Sequence, residues 1–129
     1  MEVPKDLLFT QEHEWIRIDG KKAVVGITEF AQEQLGDIVF VELPEVGSEV
    51  EQENPFGVVE SVKTVSDLYA PASGKVTAVN KDLETNPEKV NNEPYGGGWI
   101  VEIELSNEKD VESLLDPDAY AEQCQKETE

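Results

Sequence analysis

The segment Glu60-Ser61-Val62-Lys63-Thr64-Val65-Ser66-Asp67 lies between two strand-like stretches, Phe56–Ser61 and Ser66–Ala70, so the chain must reverse there. It does so with no Gly, Pro or Asn at its centre. Its β-branched residues Val62, Thr64 and Val65 resist the positive φ that tight turns use. A lysine at the tip of a stiff hairpin is exposed and cannot fold back far, so Lys63 offers a primary amine to a modifying enzyme. The plain alternative is a solvated lysine on an ordinary strand. Little else competes for a chemical role. The single histidine, His13, excludes the usual multi-His zinc and iron sites. The single cysteine, Cys124, excludes a disulfide framework and a Cys-rich metal site. Gly96-Gly97-Gly98 is followed by no Lys-Ser/Thr and is not a phosphate loop. With no catalytic triad, metal set or phosphate loop, no residue is assigned as catalytic, which stands against an enzyme in its own right.

Composition narrows the partners. The chain has 129 residues, with 10 Lys+Arg against 29 Asp+Glu, for a formal net charge of −19. Such a charge opposes nucleic acid, whose phosphates reward cationic surfaces, and opposes anionic membranes. It favours fast encounter with partners that carry basic patches. The length suits one domain and one buried core. No apolar run is long enough to span a bilayer. The opening residues MEVPKDLLFTQEHEW have neither the apolar core of a signal peptide nor the Arg/Ser bias of a transit peptide. The expected place is cytoplasmic, or a mitochondrial matrix if a transit peptide has been removed, and the expected state is a monomer.

The elements that would position Lys63 are short. Trp15–Ile18 and Ala23–Ile27 read as strands around an Asp19-Gly20 turn. Thr28 reads as the N-cap of a short helix that Gly36 ends. Asp37–Leu43, Phe56–Ser61, Ser66–Ala70 and Lys75–Asn80 read as further strands, with turns at Pro44–Gly47 and Pro71–Gly74. Residues 81–98, rich in Asn, Pro and Gly, read as one long loop. In the strand 99–105, Trp99, Val101, Ile103 and Leu105 form the apolar face and alternate with Ile100, Glu102 and Glu104, which places Trp99 in the core. Asn107 opens a helical stretch carrying Val111, Leu114 and Leu115. Asp116-Pro117 reads as N-cap and first residue of a last helix, on which Cys124 is buried. The sum is a single domain over 1–129, with a mainly β core about 10–105 and helices about 107–124.

These residues match a known pattern. Val59-Glu60-Ser61-Val62-Lys63-Thr64, followed by Ala70-Pro71-Ala72-Ser73-Gly74, resembles the attachment region of lipoyl carrier domains. Glu60 stands three residues before the lysine and Gly74 eleven after. The chain more closely resembles the glycine cleavage H-protein family. It does so at His13-Glu14-Trp15, Val25-Gly26-Ile27-Thr28, Leu35-Gly36-Asp37, Phe40-Val41-Glu42-Leu43-Pro44 and Pro94-Tyr95-x-x-Gly98-Trp99. Val62 and Thr64 beside the lysine differ from the Asp-Lys-Ala of 2-oxoacid dehydrogenase lipoyl domains and from the Met-Lys-Met of biotinyl domains.

The resemblance implies a flattened antiparallel barrel/sandwich hybrid of lipoyl-domain type, with a short internal helix and C-terminal helices. It implies a carrier whose Lys63 is joined by an amide to lipoic acid. The carrier would shuttle an aminomethyl group from glycine decarboxylase to aminomethyltransferase, and electrons to dihydrolipoamide dehydrogenase. Glu60 and Gly74 would serve recognition by the lipoylating enzyme and orientation of the attachment hairpin. Glu14 and Asp67 would face the loaded arm, whose ammonium suits acidic neighbours. Family members usually have a small hydroxyl residue before the His-Glu-Trp segment. Here it is Glu12, another carboxylate compatible with that cleft. The alternatives are a lipoyl carrier for another lipoate-dependent complex and a non-carrier acidic interaction module.

Overall fold

The computed structural model describes residues 2–128. Among the described residues, nine strands form two antiparallel sheets. The larger runs β1 (Leu8–Phe9), β2 (Glu14–Asp19), β3 (Lys22–Ile27), β9 (Val101–Leu105), β8 (Gly74–Val79) and β5 (Glu49–Val50), in that spatial order. The smaller runs β4 (Ile38–Glu42), β6 (Pro55–Ser61) and β7 (Val65–Tyr69). Among the described residues no ladder joins the two sheets, so the expected architecture is realised as a sandwich and is not closed into a barrel.

One apolar core lies between the sheets. Ile16, Val25 and Ile103 from the larger sheet meet Val41, Val59 and Leu68 from the smaller one. The period-2 alternation of each strand supplies this face, and each fully buried aliphatic side chain contributes about 1.5–3 kcal/mol. A second cluster covers the other side of β2: Phe9, Trp15, Phe30, Tyr120 and Cys124. It seats the last helix, α3 (Pro117–Glu127), so Cys124 is buried as its helix position predicts. Tyr120 stacks on Phe9 with centroids 4.5 Å apart.

The local stop and start signals act as read. Thr28 Oγ1 accepts from the Ala31 amide at the start of α1 (Glu29–Leu35), and Gly36 closes that helix at φ +84°. Asp116 Oδ1 accepts from the Ala119 amide, with Pro117 in the first turn of α3. Two expectations need correction. Residues 81–98 hold a 3-10 helix (Lys81–Glu84) and a helical turn, α2 (Lys89–Asn92). Leu83 and Val90 anchor them in the main core, and Asn80 Nδ2 ties the segment down by donating to the Gly97 and Trp99 carbonyls. Trp99 is only partly buried, while Ile100 is fully buried. The β9 ladder begins at Val101, so the alternation expected for Trp99 and Ile100 does not extend to them. The stretch after Asn107 is a 3-10 helix, Glu108–Ser113, before α3 begins.

Candidate functional site

The hairpin that carries Lys63 is built by one side chain. The β6–β7 ladder ends at the pair Glu60 and Val65, and Ser61 then closes the reversal. The Ser61 amide donates to the Thr64 carbonyl at 2.8 Å. Ser61 Oγ accepts from the Lys63 amide and the Thr64 amide, both at 3.1 Å. A serine hydroxyl that gathers the next amides substitutes for the turn residues that Val62-Lys63-Thr64 lacks. The Val62 amide donates to the Asp37 carbonyl at 3.0 Å, which fixes the tip to the start of β4.

Lys63 is exposed, and none of the ion pairs among the described residues includes it. Its stem passes the C-terminus of α1: a Cβ built on Gly36 would lie 3.3 Å from Lys63 Cε. Gly36 therefore serves twice, by taking φ +84° and by leaving room beneath the lysine. Asn91 fixes this platform. Its Nδ2 donates to the Gly36 carbonyl and to Gln32 Oε1, each at 2.9 Å, and its Oδ1 accepts from the Ile38 amide at 2.8 Å.

Beyond the tip, β7 leads toward a cleft. Val65, Asp67 and Tyr69 alternate with Ser66 and Leu68, and Leu68 is buried. Tyr69 lines a cleft of about 500 Å³ with Thr10, Glu12, Glu14, Gln52 and Leu115. From Val65 to Tyr69 the strand covers roughly 13 Å at ~3.3 Å per residue. Glu12 is exposed at this cleft, whereas Glu14 is 2% exposed. Thr10 Oγ1 donates to Glu14 Oε1 at 2.6 Å, and the Tyr69 amide donates to Oε2 at 3.4 Å. Burial pushes the Glu14 carboxyl up to about 8; the charge on Glu12 adds to the rise, and the two hydrogen bonds reduce it. Glu14 is thus mainly a neutral acid at pH 7.

The far wall of the cleft comes from the C-terminal segment. Phe9 and Leu115 exchange backbone hydrogen bonds at 2.9 and 2.7 Å. Gln52 Nε2 donates to the Pro71 and Asp110 carbonyls and to Ser113 Oγ. Asp110 Oδ2 in turn accepts from the Ser73 amide at 2.8 Å.

Glu12 and Glu14 therefore share the cleft. Asp67 is exposed on β7 two residues before Tyr69 and does not line it. Glu60 is exposed on β6, across from Val65. Gly74 lies in the larger sheet, paired with Val50 and Leu105, where a Cβ would meet the Glu104 carbonyl oxygen at 2.2 Å. The sequence reading missed Ser61, Asn91 and Gln52 and did not connect Gly36 with Lys63. Ser61 carried a signal, a hydroxyl just before two amides that need partners. Asn91 and Gln52 carried none, because their partners lie far off in the chain.

Three comparisons place this geometry. The family described as "Glycine cleavage H-protein" matches residues 7–127. The glycine cleavage system H protein of Symbiobacterium thermophilum is 64% identical over 118 residues, covering 92% of this chain and 92% of that protein. That of Rubrobacter xylanophilus is 59% identical over 126 residues, covering 98% of each. The crystal structure of a glycine cleavage system H protein from Mycobacterium marinum superposes with a TM-score of 0.86 at 44% identity, covering 93% of this chain and 97% of that one. A sandwich with a lysine-tipped hairpin, matched over nearly its whole length in both sequence and fold, belongs to the glycine cleavage H-protein family.

Proposed function

We propose that this chain is the lipoylated shuttle of glycine cleavage, with lipoic acid held in amide linkage on Lys63 and no catalysis of its own. One observation carries the reading: an exposed amine, free of any ion pair among the described residues, at the tip of a hairpin stiffened by Ser61. The site fits such a group. The stem has a flat rest on Gly36, and the β7 strand runs from the tip to an open cleft lined in part by Glu12 and Glu14. When attached, the group supplies a dithiolane whose sulfurs can be reduced and can carry a one-carbon amine.

The chain's own residues present and shelter. Lys63 fixes the point of attachment, Glu60 and Gly74 serve the lipoylating enzyme as recognition and framework residues, and Asp67 lies on the path from tip to cleft. Glu12 and Glu14 meet a cation that enters the cleft. An arriving ammonium favours the ionised form of Glu14 by Coulomb attraction, which shifts the Glu14 proton toward solvent as the cation enters. The walls made by Leu115 and Gln52 restrict water around it. The partners of such a shuttle are glycine decarboxylase, aminomethyltransferase and dihydrolipoamide dehydrogenase. A tethered group raises its own effective concentration at each of them. Among the described residues no helix is long and apolar enough to cross a membrane, and bacterial relatives support a cytoplasmic working place.

The test has two parts. Intact mass of the chain from its native cells, with peptide mapping, is expected to show a lipoyl adduct on Lys63. Reconstitution with glycine decarboxylase is then expected to give glycine-dependent CO2 exchange. An unmodified Lys63 in lipoate-replete cells overturns the carrier reading. A lipoylated chain inert toward glycine decarboxylase transfers it to another lipoate-dependent complex.

A further inference from the structure

Five large hydrophobic side chains are exposed among the described residues, and four of them gather at one end of the smaller sheet. Val39, Phe40, Val62 and Val65 are 50–67% exposed, and all lie on β4 or on the Lys63 hairpin. The strand register explains the clustering. Phe40 pairs with Glu60, and Glu60 pairs with Val65, so the three form one row across the outer face of β4, β6 and β7. Val39 sits at the register shift beside Phe40, and Val62 is the first residue beyond the ladder. The next row on the same face is Glu42, Val58 and Asp67. The row beside the lysine therefore has Phe40 on β4 and Val65 on β7 flanking the exposed Glu60 on β6, and the row behind it carries Glu42 and Asp67. Isolated exposed hydrophobics need no explanation, but four gathered around one exposed lysine, with acids among and behind them, mark an interaction surface.

We propose that Phe40, with Val39, Val62 and Val65, is the docking collar for the enzyme that attaches the lipoyl group. Its partner surface has an apolar rim around the pocket that admits the amine, with cationic groups placed to meet Glu60, Glu42 and Asp67. The inference rests on Lys63 being the lipoylated residue. Reach selects this occupant over the later partners. An unmodified lysine extends only about 6 Å from its Cα. The attaching enzyme must therefore bring its active site down onto the hairpin and cover whatever surrounds the tip. Later partners meet an arm lengthened by the attached acid and can work from further away. The reaction is an aminolysis of a lipoyl acyl-adenylate held by that enzyme. Lys63 Nζ first loses a proton to solvent, and its lone pair attacks the acyl carbon. The C–N bond forms as the C–O bond to adenylate breaks, and a second proton leaves the nitrogen. No electron transfer is involved.

The experiment uses the full unmodified chain, an ATP-dependent lipoate-attaching ligase, lipoate, ATP and Mg²⁺, with the rate read by intact mass. Phe40→Ser and Val65→Ser are made separately, so that each exposed substitution checks the other, and thermal melts establish that both are folded. Each is expected to lower kcat/KM for attachment by at least about tenfold, mainly through KM, the size expected when a buried interface anchor is truncated. Val46→Ser, the remaining exposed large hydrophobic, lies in the turn after β4 and is expected to leave the rate unchanged. If the wild-type chain gains mass at Lys63 but the folded Phe40→Ser and Val65→Ser variants match its rate, the collar is wrong and the carrier reading survives. If the wild-type chain never gains the mass, the carrier reading itself fails and takes the collar with it. Variants driven to full lipoylation are then assayed with glycine decarboxylase. A loss there as large as at attachment assigns the collar to the later partner and overturns the proposal. So does a concentration-dependent dimer of the wild type that Phe40→Ser abolishes, because a second copy would then be the occupant.

Discussion

The lysine end and the cleft end of the molecule solve opposite problems with the same β scaffold. At the lysine end the backbone is tightly held while the side chains are free: Ser61 and Asp37 fix the tip, and Lys63, Val62 and Val65 face solvent. At the cleft end the side chains are the held parts. Glu14 is buried against Thr10, and the Gln52 side chain holds three partners. Presentation needs a stiff main chain and an unencumbered tip. Shelter needs burial, and burial makes every polar group depend on a partner. Substitutions at the lysine end should therefore alter function with little effect on stability, and those in the packed frame should do the reverse.

The sharpest break in that contrast comes from Lys63→Arg. It is expected to abolish lipoylation and all carrier activity while changing stability by no more than about 0.5 kcal/mol, as for an exposed residue. Intact mass and urea melts read the two effects separately, and an unfolded variant would overturn the placement of the lysine at a free tip. Gly74→Ala is the converse. Its Cβ would collide with the Glu104 carbonyl at 2.2 Å, so the loss is expected to be about 2–3 kcal/mol, as for overpacking. The lipoylation rate per folded molecule is expected to hold. A folded variant that lipoylates slowly would give Gly74 a recognition role in place of a framework one.

Glu14→Gln probes the buried acid through pH. The folded chain keeps the Glu14 proton up to about 8, and an ordinary glutamate in the unfolded chain loses it near 4.5. Between those values the folded state binds more protons, so this group's contribution falls as pH rises through the window, with a limiting slope of about 1.4 kcal/mol per pH unit. Glu14→Gln is expected to flatten that part of the stability curve between pH 5 and pH 8, as followed by urea melts across the range. An unchanged slope would mean that Glu14 is ionised in the folded chain.

What was legible in the sequence was local. Thr28, Gly36 and Asp116-Pro117 act within a single helical turn, so their residue types reveal the ends of α1 and α3. Lys63 stood out because its neighbours could not make an ordinary turn. What was hidden depends on distant partners. Leu83 and Val90 are buried from a stretch whose Asn, Pro and Gly content reads as loop, because the main core has room for them. Trp99 is more apolar in type than its setting requires, and Ile100 is buried because Asn80 and Val25 bracket its backbone before the β9 ladder begins. Glu14 stands out only through the family resemblance, since by residue type it is one more carboxylate among many. Only the closure of Leu115 onto Phe9, more than a hundred residues along the chain, brings the cleft wall around it.

The smallest expected effect bears most directly on the difference between the two ends. Ser61→Ala removes the hydroxyl that gathers the Lys63 and Thr64 amides but leaves the Ser61 amide bond to the Thr64 carbonyl in place. The cost in global stability is expected to be about 1 kcal/mol, the usual net worth of such hydrogen bonds. Water can reach the freed amides at this exposed tip, so they are not left unsatisfied. The hairpin should nonetheless lose stiffness at its tip, because the bonds that remain, Ser61 amide to Thr64 carbonyl and Val62 amide to Asp37 carbonyl, leave the Lys63 and Thr64 amides unheld. Amide hydrogen exchange at Lys63 and Thr64 is therefore expected to quicken, while exchange in β2 and β3 stays as in the wild type. Lipoylation should slow through a higher KM, since the attaching enzyme would meet a mobile amine and must order it on binding. If exchange at the tip is unchanged, the stiffness resides in the ladder below Glu60 and Val65. The lysine end would then be held by its strands, as the cleft end is, and the contrast between the two regions would rest on burial alone.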